Sequence, residues 1–463
     1  MNKKETKISK EIKINKKSAR RNHSNQTGIT LIALVVTIVV LLILAGVSLN
    51  AIFSENGIIK RAQDAQNKMD EATQNDLDSI NELNNWIDGK TNGSSGGNTT
   101  GGDDKPSTSD LPSVANKTIP YYPDTTFTKV EGTDLSNGLV IKDAEGNEYV
   151  WIEVPKTEEV YPTAGLKITN FTETEYTAIE TDLHTYTDYY RNGTSYKDEY
   201  PSNLVKAGTG LDSDAYTNLK QKMLKSVYEN GGFWIGRYEA GIEKNRTSKD
   251  EEITAAPVSK AGTVENAVYP YTYVTCSQAQ TIASKISTEN YTSSLMFGVQ
   301  WDLVLKHIET KIGSENLISN GKNILTEDSS SWGNYRNASF EINRGKYAKD
   351  GALSSAWNNY NTALENCVTY AKGTSTKVSA RSSSNSILLT TGASDECKKM
   401  NIYDLAGNVW EWTLEYSVDT DNPCAIRGGG YYAPGFSYVA AFRNYRDTTN
   451  SLFNVGIRPS LFK

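Results

Sequence analysis

The chain is poor in the side chains that build metal and redox centres: its 463 residues contain three His and four Cys. His23 lies in a basic leader, which leaves His184 and His307, and two imidazoles cannot form a three-His facial site. Cys276, Cys367, Cys397 and Cys424 follow one another at spacings of 91, 30 and 27 residues, which match no metal motif. Their even number in an exported domain allows one or two disulfides, with Cys397 to Cys424 the favoured pairing. Buried free thiols are the alternative, and Cys276 on an apolar helix face suits it. Neither reading makes them catalytic. Phenylalanine is scarce beside tyrosine, 10 against 27, and richness in Tyr, Thr and Asn suits an extracellular, β-rich surface. Excess positive charge is also missing beyond the first residues. Residues 1–28 hold nine Lys/Arg and two Asp/Glu, a net +7; the whole chain is -7, so the remainder is -14. Such acidity gives no footprint for nucleic acid. The length exceeds one core, so two or more units are expected.

What is present is one long apolar run in a chain whose mean hydropathy is -0.53. It reads GITLIALVVTIVVLLILAG from Gly28. Ile29 to Leu49 carries no charge over 21 residues, about 31 Å of helix and enough to cross a hydrocarbon core. The Lys/Arg leader keeps the N-terminus cytoplasmic and puts everything after Asn50 outside. The run is too long for a cleaved secretory signal, and no small-x-small site closely follows it. This predicts a single-pass protein of the cell membrane, with its C-terminal domain at the cell surface or on a pilus.

A Gly directly before I-T-L-I, behind a basic leader, resembles the prepilin cleavage and methylation segment of type IV pilins and pseudopilins. The resemblance implies that a prepilin peptidase cuts after Gly28 and methylates Ile29. It also implies pilin-like subunits as partners through the N-terminal helix. The family's usual fifth mature residue is Glu, whose carboxylate pairs with a neighbouring amine in apolar surroundings. Ala33 stands there and removes that pair, which weighs against efficient entry into a filament. An uncut membrane anchor is the alternative.

Apolar residues at three- and four-residue steps, among them Ile52, Ile59, Ala62, Met69, Leu83 and Ile87, extend the helix over 29–87. A Gly/Ser/Thr-rich linker follows at 88–115. The unit at 116–463 is mixed. GLVIKDAEGNEYVWIEVP reads as two strands around an EGN turn, and GFWIGRYEAGI as another strand. SDAYTNLKQKMLKSVYENGG reads as a helix with Leu219, Met223 and Val227 on one face and a Gly pair to end it. Two short helices follow, TCSQAQTIASKIS capped by Thr275 and GVQWDLVLKHIET with His307 as a packing residue. Residues 311–400 are Ser-, Asn- and Thr-rich, and so long an irregular stretch needs something to pin it. The fold class is α+β.

DLAGNVWEWT at 404–413, AIRGGGYY at 425–432 and FRNYRDTTNSLFNVGIRP at 442–459 look like the formylglycine-generating enzyme (sulfatase-modifying factor) domain family. EYVWIEVP, GGFWIGRYEAG and YPYTYVTCSQAQTIASKIS agree in the same order, so the resemblance covers about 116–463. It implies an irregular, loop-rich variant of the C-type lectin fold. Enzymes of the family hold copper with two Cys after the R-G-G-[SG] turn, but GGGYYAPGFSYVAAFR has none and Ala433 stands near the first. No catalytic residue or catalytic cofactor therefore carries over. The family's GN-x-WEW segment implies a structural Ca²⁺ on Asn408, the Val409 carbonyl and Glu411. The alternative is that Asn408 holds a turn and Glu411 pairs with Arg427 or Arg458. Trp410 and Trp412 alternate as strand core residues.

Where the enzymes form their substrate cleft, this chain carries Tyr431, Tyr432, Phe436, Tyr438, Asn444, Tyr445, Arg446, Asp447, Asn450 and Phe453. Tyr and Asn offer broad contact area and adaptable hydrogen bonding, so these residues form a candidate ligand-binding patch. The expectation is a pilin-like surface protein presenting a non-catalytic lectin-like domain to an extracellular protein or glycan. An oxidoreductase of the same family with unrecognised active-site residues is the second reading. A structural minor pilin is the third.

Overall fold

The computed structural model describes residues 110–463 apart from 192–194, 202–207, 350–355, 363–367, 372–374 and 379–385. The chain divides after Gly102. The leader, apolar helix and most of the linker, with Gly28, Ile29 and Ala33, lie outside the described residues. Among the described residues no helix is long and apolar enough to cross a membrane.

The described part is loop-rich and sheet-dominated, with few helices. Eleven strands matter here: β1 (Thr128–Lys129), β2 (Val140–Lys142), β3 (Glu148–Glu153), β4 (Tyr196–Lys197), β5 (Gly232–Gly236), β6 (Thr292–Leu295), β7 (Trp410–Ser417), β8 (Cys424–Arg427), β9 (Arg443–Arg446), β10 (Val455–Gly456) and β11 (Pro459–Phe462). The helices are α1 (Glu173–Tyr186), α2 (Ser213–Asn230), α3 (Cys276–Ser284) and α4 (Gly298–Ile312). The first sheet runs β1-β2-β3-β5-β11-β6 and is antiparallel throughout. β11, last of these strands along the chain, therefore sits inside the sheet. The second runs β9-β8-β7-β10 with β4 also on β7, and only β10 is parallel.

The alternation in EYVWIE places two cores on one sheet. Val150 and Ile152 face the main core with Phe233 and Ile235. Tyr149 and Trp151 face a second cluster with Trp234 and Leu461. All four β3 residues are buried, because the other face is covered as well and not solvated. The indoles there have partners: Trp151 Nε1 donates to Thr118 Oγ1 at 2.9 Å and Trp234 Nε1 to the Tyr121 carbonyl at 2.9 Å.

The helices obey their local signals. Asp212 accepts from the Ala215 amide to open α2, and Gly231 at φ +67° closes it. Met223 and Val227 are buried, with Leu219 packed beside them. Thr275 caps α3 by accepting from the Gln278 amide. His307 is a packing residue: its Nδ1 accepts from the Glu153 amide at 3.1 Å, and burial pushes the imidazole down to about 3. The irregular stretch is pinned by buried aromatics. Trp332 donates to the Ile324 carbonyl at 2.9 Å and Tyr335 to the Gly428 carbonyl at 2.7 Å.

Candidate binding surface

All eight residues of β7 are buried. Trp412 Nε1 donates to the Val274 carbonyl at 3.0 Å, and Trp410 Nε1 to the Tyr432 hydroxyl at 2.9 Å. Both indoles are structural. Beside β7 an ion network joins distant parts of the chain. Arg427 reaches Asp302 at 2.8 Å and Glu415 at 3.2 Å, while Arg443 reaches Glu415 at 2.9 Å and Asp302 at 2.5 Å. Arg191 adds Asp302 at 3.3 Å and Asp198 at 3.4 Å. Asp198 also accepts from the Gly298 and Val299 amides at 2.7 and 2.8 Å, so it caps α4 from a hundred residues away. The His184 imidazole, 3.6 Å away, then the Arg191 guanidinium and the Val299 amide hold its carboxyl well below the usual range despite burial. Charges this deeply buried persist because each has a partner.

The turn after Arg427 needs glycine. Gly428 and Gly429 have φ of +91° and +80°, and a Cβ on Gly429 would lie 2.2 Å from the Tyr438 carbonyl oxygen. The chain then leaves the sheet through 430–442 and returns as β9, an edge strand.

The candidate patch separates into layers. Tyr431 is buried with Leu388 and Val409 and is not on the surface. Tyr432 and Tyr438 are half-buried: the first accepts from Trp410, and the second packs edge-on against Trp410 at 5.3 Å and Phe442 at 5.0 Å. Amphipathic tyrosine fits either role, and here the ring is core and the hydroxyl a tether. Asn444, Arg446, Asp447 and Asn450 are also half-exposed. Asp447 shapes the loop by accepting from the Thr449 amide and hydroxyl at 2.6 and 2.7 Å, and that hydroxyl holds its carboxyl below the usual range. Phe436, Tyr445 and Phe453 are exposed by 54%, 42% and 37%. Three of the eight exposed large hydrophobics among the described residues thus fall within 436–453.

Asn408 and Glu411 do not fit a calcium ion. Glu411 meets Arg458 through both oxygens, at 2.7 and 3.1 Å. Asn408 Oδ1 accepts from Asn334 and from the Leu389 amide, and its Nδ2 donates to Glu239. Of the two arginines considered for Glu411, Arg458 is the partner and Arg427 is committed elsewhere. Among the described residues no group of three or more His, Cys, Asp or Glu could hold a metal ion. Ala433, near the place of the family's first catalytic Cys, is buried at 4% and offers copper no ligand. The expected Cys397 to Cys424 bridge is not formed; both thiols are free and buried, as is that of Cys276, whose sulfur lies 3.6 Å from the Thr413 carbonyl.

Sequence reasoning missed a buried acid pair. Glu239 and Asp404 lie near the Glu411 carboxylate, which takes the Arg458 guanidinium, and Glu239 Oε2 and Asp404 Oδ1 have no hydrogen-bond partner. Burial, then mutual repulsion, pushes Glu239 well above the usual carboxylate range and Asp404 up to about 7. A folded-state pKa raised in this way stabilises the native state below the unfolded value of about 4 and is lost as pH rises through the folded one. The thermal midpoint should therefore be higher at about pH 5.5 than at about pH 8. Asp404→Asn should flatten that slope; an unchanged slope would remove the acid pair as its cause.

With this geometry in place, the comparison with known proteins assigns the class. Residues 232–460 match the sulfatase-modifying factor enzyme 1-like domain, so an FGE-sulfatase family domain is present in the chain. The match begins at β5, yet β3, from outside it, is hydrogen-bonded to β5. Among solved structures, the chain is similar to Treponema denticola variable protein 1, at 12% identity over 50% of this chain and 96% of that one, with a TM-score of 0.21. No curated protein matches.

Proposed function

We propose that this is a surface-displayed binding protein: a pilin-like or pseudopilin-like N-terminal helix carries an FGE-type, lectin-like domain that binds an extracellular protein or glycan without catalysing a reaction. The observation that carries this reading is the 436–453 stretch, whose exposed Phe436, Tyr445 and Phe453 adjoin strands held by buried ion pairs, in a segment after the Arg-Gly-Gly-Gly turn that contains no cysteine. Preorganised aromatic contact area is what a binding surface uses.

Phe436, Tyr445 and Phe453 are the residues to test. Their triple substitution to Ala should abolish attachment to cells or glycan arrays and leave the thermal midpoint within a few degrees, since exposed substitutions cost under about 0.5 kcal/mol each. Binding equal to wild type would overturn the reading, as would oxidation of a thiol peptide by the wild-type protein.

The N-terminal segment supports processing by a prepilin peptidase. Mass spectrometry of the protein from cells with that peptidase should find a methylated N-terminus at Ile29. Recovery of the unprocessed leader in surface material would favour the uncut anchor.

A further inference from the structure

β9 is the outer strand of the second sheet: β8 pairs with one of its edges, and among the described residues no strand covers the other. Tyr445 shows what that open edge offers. Its amide donates to Asn444 Oδ1 at 2.9 Å and its carbonyl accepts from Arg446 Nη1 at 2.7 Å, so neighbouring side chains hold both main-chain groups where a further strand would. In an antiparallel ladder alternate residues turn both groups away from the paired strand, and Tyr445 is such a residue. Side chains alternate as well: the Tyr445 ring, 42% exposed, lies on one face, with Asn444 and Arg446 on the other. Among the described residues Arg446 meets the Tyr445 carbonyl but no carboxylate, and the acid next to it, Asp447, is held by its own loop.

We propose that the open edge of β9 takes up an extended segment of a partner protein as an added strand, in which acidic residues facing Arg446 alternate with apolar residues facing Tyr445. This rests on the reading of the domain as a binding protein and names the partner's chemistry. A polypeptide is favoured over a glycan, because a main chain supplies a donor and an acceptor at strand spacing for the Tyr445 carbonyl and amide. Asn444 and Arg446 give way as the segment docks, and the released guanidinium meets the incoming carboxylate. Until then the two side chains keep the edge from pairing indiscriminately. A second copy of β9 lacks the required charge: Arg443–Arg446 reads RNYR, with two arginines and no acid.

The test uses the full chain in detergent and three fluorescein-labelled synthetic peptides: Val alternating with Glu, Val alternating with Lys, and the Val/Glu sequence with its main-chain amides N-methylated. Fluorescence anisotropy should show the Val/Glu peptide binding about tenfold more tightly than either of the others. Hydrogen exchange along Arg443–Arg446 should slow when it is bound. Arg446→Glu should reverse the preference towards Val/Lys with the thermal midpoint unchanged. Equal binding of the N-methylated peptide would overturn strand addition, as would protection confined to other segments or failure of all three peptides to bind. Slowing at Arg443–Arg446 with rising protein concentration and no peptide would give the edge to a second copy and overturn the proposal as well. The underlying reading fails separately: wild-type attachment to glycan arrays without peptide binding sinks the added strand and keeps the binding protein, whereas peptide binding without attachment to cells or arrays does the reverse.

Discussion

Arg427→Met should lower stability by about 3–5 kcal/mol, the cost of leaving buried charges without a partner. Arg427 is fully buried and is the bond between Asp302 of α4 and Glu415 of β7. Methionine fills much of the volume but returns nothing to either carboxylate. Arg443 continues to touch both from the side, at 2.5 and 2.9 Å, which keeps the loss from being larger. The measurement is the urea midpoint at constant m-value. A midpoint close to wild type would mean that the network relaxes around the change and does not hold α4 to the sheet. Because β9 is anchored through the same carboxylates, the variant should also show faster hydrogen exchange along Arg443–Arg446.

Trp410→Ala should cost about 3–5 kcal/mol as well, from the lost indole and the cavity it leaves. Its consequences reach the surface. Tyr432 loses the N–H that fixes its hydroxyl, and Tyr438 loses the face it packs on. Denaturation should report the stability loss, and attachment assays well below the melting temperature should report weakened binding in protein that is still folded. Trp410→Phe separates the two contributions, since it keeps apolar bulk and removes only the donor. If Trp410→Ala binds like wild type while folded, the tyrosine layer does not support the exposed aromatics above it.

The parts of this domain legible in its sequence are those specified within a few residues. Thr275 with Gln278, Asp212 with the amides that follow, the Gly231 stop and the hairpin around Glu145–Asn147 carry their geometry in local spacing. The Glu411 to Arg458 pair was one of two arginine partners the sequence offered. What could not be read depends on distance along the chain. Nothing near Gly298 announces that Asp198 caps α4. Nothing in the R-G-G-G turn names Asp302 and Glu415 as partners of Arg427. The tyrosines resisted for a different reason: a phenol ring packs and its hydroxyl hydrogen-bonds, so Tyr431, Tyr432 and Tyr445 look alike in sequence although one is core, one a tether and one exposed.

The place of β11 inside the first sheet sets a timetable for making this protein. Pro459–Phe462 lies between β5 and β6, whose residues are made far earlier. Those two strands cannot be joined until residue 462 has left the ribosome. Until then the edges of β5 and β6 that will pair with β11 are open, and the nascent domain has to be kept from pairing with other chains. Folding is consequently an event after synthesis of this region and not a gradual one during it, and any truncation upstream of Pro459 takes away an interior strand, not a tail.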